Sequence, residues 1–215
     1  MSDALTVGGR VVPYEQARDI VAEYVTPSDE AYAYPAYDGY RTNDDPDRLA
    51  DGDLLAPTLL NVSISIRTYT DLHRRRDEIE AALASVPDID LADATADQCA
   101  EIASVFSILD TEPRPHGALL TTMAKILHRK RPATIPLYDE LVRSVYQPFR
   151  IAVDPDRSWQ EFVRLFISEV RADLAAAPAA WTALAALTPS GGPPISRLRA
   201  LDIVAWRAGR DGLGQ

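Results

Sequence analysis

Between Gly117 and Tyr146 the chain carries two runs of apolar residues at helical spacing, separated by a basic, proline-marked connection from Arg129 to Pro136. Leu119, Leu120, Met123, Ile126 and Leu127 share one face in the first run. Tyr138, Leu141, Val142 and Val145 share one face in the second. The pattern predicts two amphipathic helices. Pro132 and Pro136 stop the first and start the second, because proline has no amide to donate inside a helix yet suits its first turn. Asp139 then falls in the first turn of the second helix, where unpaired amides and the helix dipole favour an ionised carboxylate.

The remaining pattern is also helical. Residues 5–12, LTVGGRVV, are β-branched and broken by Gly8 and Gly9, and read as a small hairpin or an extended arm. A helix over 14–25 places Ala17, Ile20, Val21 and Tyr24 inward and ends at Pro27. Asp53 reads as the N-cap of a short helix over 54–60, and residues 62–66 alternate as a brief extended piece or buried coil. One helix is expected over 69–86. Thr95 or Asp97 opens the next, with Ile102, Val105, Phe106 and Leu109 inward. Ser158 leads a helix to Ala175, with a break near Pro178 and further helix to 187. Ser196 opens the last, with Leu198, Leu201, Ile203, Val204 and Trp206 as mostly buried positions. The sum is an all-α fold of about eight helices in a compact bundle. No repeat or Gly/Ser linker divides it, so the expected organisation is one helical domain over 1–215. Within it, the central 111–149 element would either merge with the rest or interleave as a subdomain with 1–110 and 150–215.

Residues 26–52 have no clear period. They hold Tyr32, Tyr34, Tyr37 and Tyr40 among prolines and the acidic run 43–47. Long irregular segments are uncommon in compact domains and often functional, so this one is a candidate pocket wall or lid. The acidic run lacks the glycine and closing glutamate of an EF-hand loop.

Composition narrows the picture. Of 215 residues 47% are hydrophobic, enough for a proper core. No apolar run reaches the about 18 residues of a membrane helix, and the start MSDALTVGGR lacks the basic and apolar regions of a signal peptide. The expectation is a cytoplasmic protein without membrane association. Cys99, the single cysteine, is expected to pack in the core. A net charge of −10 disfavours a surface that grips long nucleic acid. Two basic runs could still meet a polyanion locally. Arg74, Arg75 and Arg76 are followed at once by Asp77, Glu78 and Glu80 and read as a solvated helix face. His128, Arg129, Lys130 and Arg131 are less balanced and sit beside Asp139.

Phosphate loops, nucleophile elbows, paired Cys-x-x-Cys and zinc-protease motifs are absent, and no cofactor or metal is expected. His73, His116 and His128 are too scattered for a metal site and read as ordinary polar histidines. The central stretch nevertheless resembles helix-hairpin-helix DNA glycosylases. In that family a hairpin glycine begins a helix, and a catalytic aspartate opens the next in a context similar to Pro-Val-Asp-x-x-Val-x-Arg. Here Gly117 stands at the hairpin, and Pro136-Leu137-Tyr138-Asp139-Glu140-Leu141-Val142-Arg143 looks like the aspartate element. Leu119 replaces the second hairpin glycine, and Thr121 stands at the lysine position, which would imply the monofunctional branch that uses water as nucleophile. No cysteine quartet exists for the iron–sulfur cluster some members carry. The chain as a whole, through Asp53-Leu54-Leu55-Ala56-Pro57, the central stretch and Leu198-Arg199-Ala200-Leu201-Asp202, also resembles an uncharacterised actinobacterial family of unknown function.

The first resemblance implies a glycosylase-like hydrolase acting on the N-glycosidic bond of a nucleoside, nucleotide or modified base. Cleavage develops positive charge on the sugar, which a carboxylate such as Asp139 would stabilise while activating water. Tyr34, Tyr37 and Tyr40 would form a base-stacking wall, with Lys125, Arg129, Lys130 and Arg131 as further substrate-binding residues, the last three meeting phosphate. The competing expectation is a non-catalytic helical protein that uses the tyrosine segment to bind a small aromatic ligand or a partner.

Overall fold

The computed structural model describes residues 4–117 and 119–214. Strands β1 (Ala4–Val7) and β2 (Arg10–Pro13) pair antiparallel with Val7 opposite Arg10. Helices α1 (Tyr14–Val25), α2 (Asp51–Leu55), α3 (Ile66–Arg74), α4 (Arg76–Ala84), α5 (Ala96–Ser104), α6 (Leu120–His128), α7 (Glu140–Arg150), α8 (Trp159–Ala176), α9 (Pro178–Ala185) and α10 (Arg197–Asp211) follow. Short 3-10 turns lie at Ala56–Leu60, Leu91–Asp93 and Val105–Asp110.

The helix starts follow from local chemistry. Thr95 caps α5 with Gln98 reaching back to its amide, and Ser158 and Ser196 cap α8 and α10 through their hydroxyls. One cluster of buried side chains runs from Leu5 through Phe106, Tyr146, Phe166 and Trp181 to Ala208, so the hairpin and the helices share a core. Cys99 is buried in it.

Two close approaches fix the frame. The hairpin turn enters the groove beside α7, where a Cβ on Gly8 would stand 2.6 Å from the Val145 carbonyl oxygen. There the Gly8 amide donates to Asp173 of α8 at 2.6 Å. Helices α7 and α10 touch at Gly209, where a Cβ would collide with the Leu141 carbonyl oxygen.

Several expectations change. Ten α-helices occur among the described residues instead of about eight. The helix expected over 69–86 is broken at Arg75, whose guanidinium turns inward to the Ile108 carbonyl and the Thr111 hydroxyl. Its neighbour Arg76 pairs with Asp51, and Glu80 is buried against Arg48 and the Leu49 amide, so this basic run is not simply a solvated face. Residues 62–66 form no strand, and Ile66 starts α3 with 86% of its surface exposed. Trp206 is partly exposed, with Arg210 over its ring. Asp53 is not an N-cap. It is the third residue of α2 and fully buried, and it accepts from the Ala50 amide at 2.8 Å.

Candidate functional site

Residues 26–50, between α1 and α2, form an irregular strap across the body. Irregular backbone leaves carbonyls without ladder partners, and each needs a donor. The basic run at the end of α6 supplies them. Arg129 donates to the Tyr37 carbonyl at 2.8 Å and to the Tyr40 carbonyl. Lys130 reaches Asn43 Oδ1 at 2.6 Å and the Asp45 carbonyl at 3.3 Å. Arg131 donates to the Pro46 carbonyl at 2.7 Å and pairs with Asp47.

Asp53 balances this charge from below. Its carboxylate lies 3.3 Å from Arg129 Nε and 3.0 Å from Lys130 Nζ, and accepts from the Thr42 hydroxyl at 2.7 Å. Burial by itself would raise its pKa, but these hydrogen bonds outweigh that and hold it below the usual carboxylate value.

A second charged group ties the strap to the last helix. Arg199 Nε lies 2.9 Å from Asp38 Oδ1, and the same guanidinium also pairs with Asp202 one turn on. Tyr24 donates to Asp38 at 2.6 Å. Burial opposes the Asp38 charge, yet Arg199 and Tyr24 keep its pKa low. Burial dominates at Asp202, whose pKa rises to about 6.

Strap, basic run and the start of α10 enclose a cleft of about 340 Å³. Tyr37, Tyr40, Arg41, Thr42, Asn43 and Asp44 of the strap line one side. His128, Arg129, Lys130 and Pro132 line another, and Ser196 and Arg199 of α10 close it. Arg129 sits over the rings of Tyr37 and Tyr40, 5.5 and 5.0 Å from their centroids. Tyr40 remains 40% exposed. His128 stacks on Tyr37 at 6.2 Å, and its Nδ1 faces the Ile135 carbonyl at 2.6 Å.

The residues singled out from the sequence therefore divide. Tyr37, Tyr40, Arg129 and Lys130 line the cleft, whereas Tyr34, Lys125, Arg131 and Asp139 lie outside its lining. Tyr34 is buried and donates to the Pro193 carbonyl at 2.8 Å. Lys125 is buried and donates to the Leu60 carbonyl at 2.9 Å, while its own carbonyl accepts from Tyr37 at 2.6 Å. Asp139 is the N-cap of α7, with Oδ1 3.0 Å from the Leu141 and Val142 amides. Its Oδ2 is 3.9 Å from Lys125 Nζ, and 23% of its side chain is exposed. Burial lowers the Lys125 pKa, with Asp139 and Asp202 opposing the shift.

Sequence reasoning missed Arg199, Asp38 and Asp202, and passed over His128. Signals existed for most of them. His128 falls one position past Leu127 on the inward side of α6, and Arg199 and Asp202 flank Leu201 on the buried face of α10. Asp38 had no periodicity to betray it. Among the described residues no group of three or more His, Cys, Asp and Glu side chains is placed to hold a metal, and no helix is long and apolar enough to cross a membrane.

A model of a family described as being of unknown function, DUF6308, matches residues 17–209. No curated protein and no solved structure gives a match.

Proposed function

We propose, from the premise that the chain belongs to this family of unknown function (DUF6308) and so inherits no assigned activity, that it is a helical binding protein for a small aromatic ligand. The observation that carries the reading is the cleft itself. It brings the half-exposed Tyr40 ring together with the buried imidazole of His128, in a volume of about 340 Å³. That volume lies at the lower end of small-molecule sites, which combine an apolar or aromatic wall with a few convergent polar groups. The walls are also stiff. Arg129, Lys130 and Arg131 bond to the strap backbone, so the site is largely formed before a ligand arrives and loses little entropy on binding. Each side chain of the basic run donates to the strap, which favours an organic ring over a phosphate chain.

Calorimetric titration with a panel of small aromatic compounds tests this reading. Tyr40→Ala should weaken binding by about tenfold, while Asp139→Asn should leave it unchanged. Retention of full affinity in Tyr40→Ala, or a large loss in Asp139→Asn, would overturn it.

A second reading, N-glycosidic hydrolysis at Asp139, is favoured by one specific observation. The carboxylate is held by two helix amides with its second oxygen 3.9 Å from a buried lysine ammonium. A fixed carboxylate at a helix N-terminus suits stabilisation of an oxocarbenium-like sugar. Base release from nucleosides, nucleotides or damaged DNA, abolished by Asp139→Asn in a folded protein, would establish this reading over the first.

A further inference from the structure

We infer that His128 is the specificity residue of the cleft, its Nε2 accepting a hydrogen bond from an N–H or O–H group on a planar ring held against Tyr40. The inference rests on the binding reading above and assigns the ligand's chemical class: rings that present a donor, in preference to rings that present only acceptors.

The tautomer is fixed by the fold. Nδ1 lies 2.6 Å from the Ile135 carbonyl, and a carbonyl oxygen only accepts, so Nδ1 carries the proton. The lone pair is thereby placed on Nε2. Among the described residues Nε2 makes no hydrogen bond. The residue is only 2% exposed, so little of the ring meets bulk water. Nor is the nitrogen sealed in. Among the described residues, the buried side-chain nitrogens and oxygens left without partners are the Nε atoms of Arg10, Arg76, Arg131 and Arg157 and do not include this one, and His128 is part of the cleft wall.

Charge keeps the nitrogen an acceptor. Burial first, then the Arg199 guanidinium, push the imidazole down to about 4, so it is neutral at physiological pH. A buried acceptor discriminates between ligands, because one that brings no donor leaves it unsatisfied. Tyr37, stacked on the same imidazole, has its hydroxyl turned away to the Lys125 carbonyl and does not compete for that donor.

Matched pairs that differ only in the donor test the inference on the full chain: indole and 1-methylindole, uracil and 1,3-dimethyluracil, xanthine and caffeine. At least one parent ring should bind about tenfold or more tightly than its methylated counterpart. His128→Asn should erase that preference, since the asparagine amide nitrogen stands where Nδ1 does and retains the Ile135 bond. Should this variant fold poorly, nitrogen NMR of the wild-type imidazole serves instead. Nδ1 should be the protonated nitrogen, and the Nε2 resonance should move when the parent ring binds and stay when the methylated ring is added. Equal affinities within every pair that binds, or an unmoved Nε2 resonance, would overturn the donor assignment alone. Failure of every compound to bind wild-type protein would overturn the cleft reading together with it.

Discussion

Arg199 on α10 and Asp38 in the strap form an ion pair, Nε to Oδ1 2.9 Å, with both side chains more than nine-tenths buried. They are 161 residues apart in sequence. The pair closes the cleft from behind, and Asp202 and Tyr24 complete its hydrogen bonding. A buried pair contributes less than its geometry suggests, because both ions lost their hydration, but removing one partner leaves the other uncompensated.

Arg199→Leu is therefore expected to cost about 3–5 kcal/mol of folding stability. Urea denaturation of the variant against wild type measures it. A cost below 1 kcal/mol would mean that Asp38 finds water or protonates without penalty.

Asp53→Ala should be comparably damaging, for a different reason. Its carboxylate offsets two cations and bonds the Thr42 hydroxyl and the Ala50 amide. The variant would leave Arg129 and Lys130 facing each other across a vacated site, a loss of about 3–5 kcal/mol. Because those cations hold the strap, limited proteolysis between residues 37 and 47 should quicken well before global unfolding.

Acid should act on His128 and Asp173 in opposite directions. The folded-state pKa of His128 is lowered to about 4 by burial and Arg199. The unfolded chain takes its proton near 6.5, so the contribution is present above that pH and is lost as pH falls from 6.5 to 4. Its size is about 3 kcal/mol. Asp173 is raised to about 6 by burial, which the Gly8 amide and the Tyr146 hydroxyl only partly offset. The folded form binds that proton first, so stability is gained as pH falls from 6 towards 4. Relative to His128→Asn, wild type should lose stability across the acid window; relative to Asp173→Asn, it should gain. Parallel denaturation curves at pH 7, 5.5 and 4.5 would separate the two signs.

Asp139 is a helix cap under either functional reading. Asp139→Ala should cost about 1 kcal/mol, whereas Asp139→Asn, which still accepts from the Leu141 and Val142 amides, should cost only a few tenths. Thermal denaturation of the two variants gives the comparison. A larger loss for asparagine would mean that the charge, paired at 3.9 Å with Lys125, carries most of the effect.

Much of the frame was legible because it is local. The extent of α1, the starts of α5, α8 and α10 at Thr95, Ser158 and Ser196, and the Gly8-Gly9 turn follow from spacing and cap chemistry within a few residues, whereas Asp139, expected in the first turn of α7, is its N-cap. Where a distant partner intervened, the reading failed. The break at Arg75 depends on Ile108 and Thr111, and the burial of Asp53 depends on Arg129 and Lys130. Neither partner is visible from the residue's own neighbours.

The basic run illustrates the division for the site. From sequence, Arg129, Lys130 and Arg131 are three adjacent cations next to a candidate carboxylate. In the fold they are donors to the carbonyls of Tyr37, Tyr40, Asp45 and Pro46. By itself the sequence determined that the chain is helical, where α1, α5, α8 and α10 begin, and which aromatic segment stands apart from them, because periodicity and capping act over a single turn of chain. The tertiary structure alone decided that this segment closes a cleft with His128 and Arg199 while Asp139 and Lys125 pair elsewhere. Burying an irregular strap requires donors and counter-charges, and those are brought from positions about ninety and one hundred and sixty residues away only when the chain has packed.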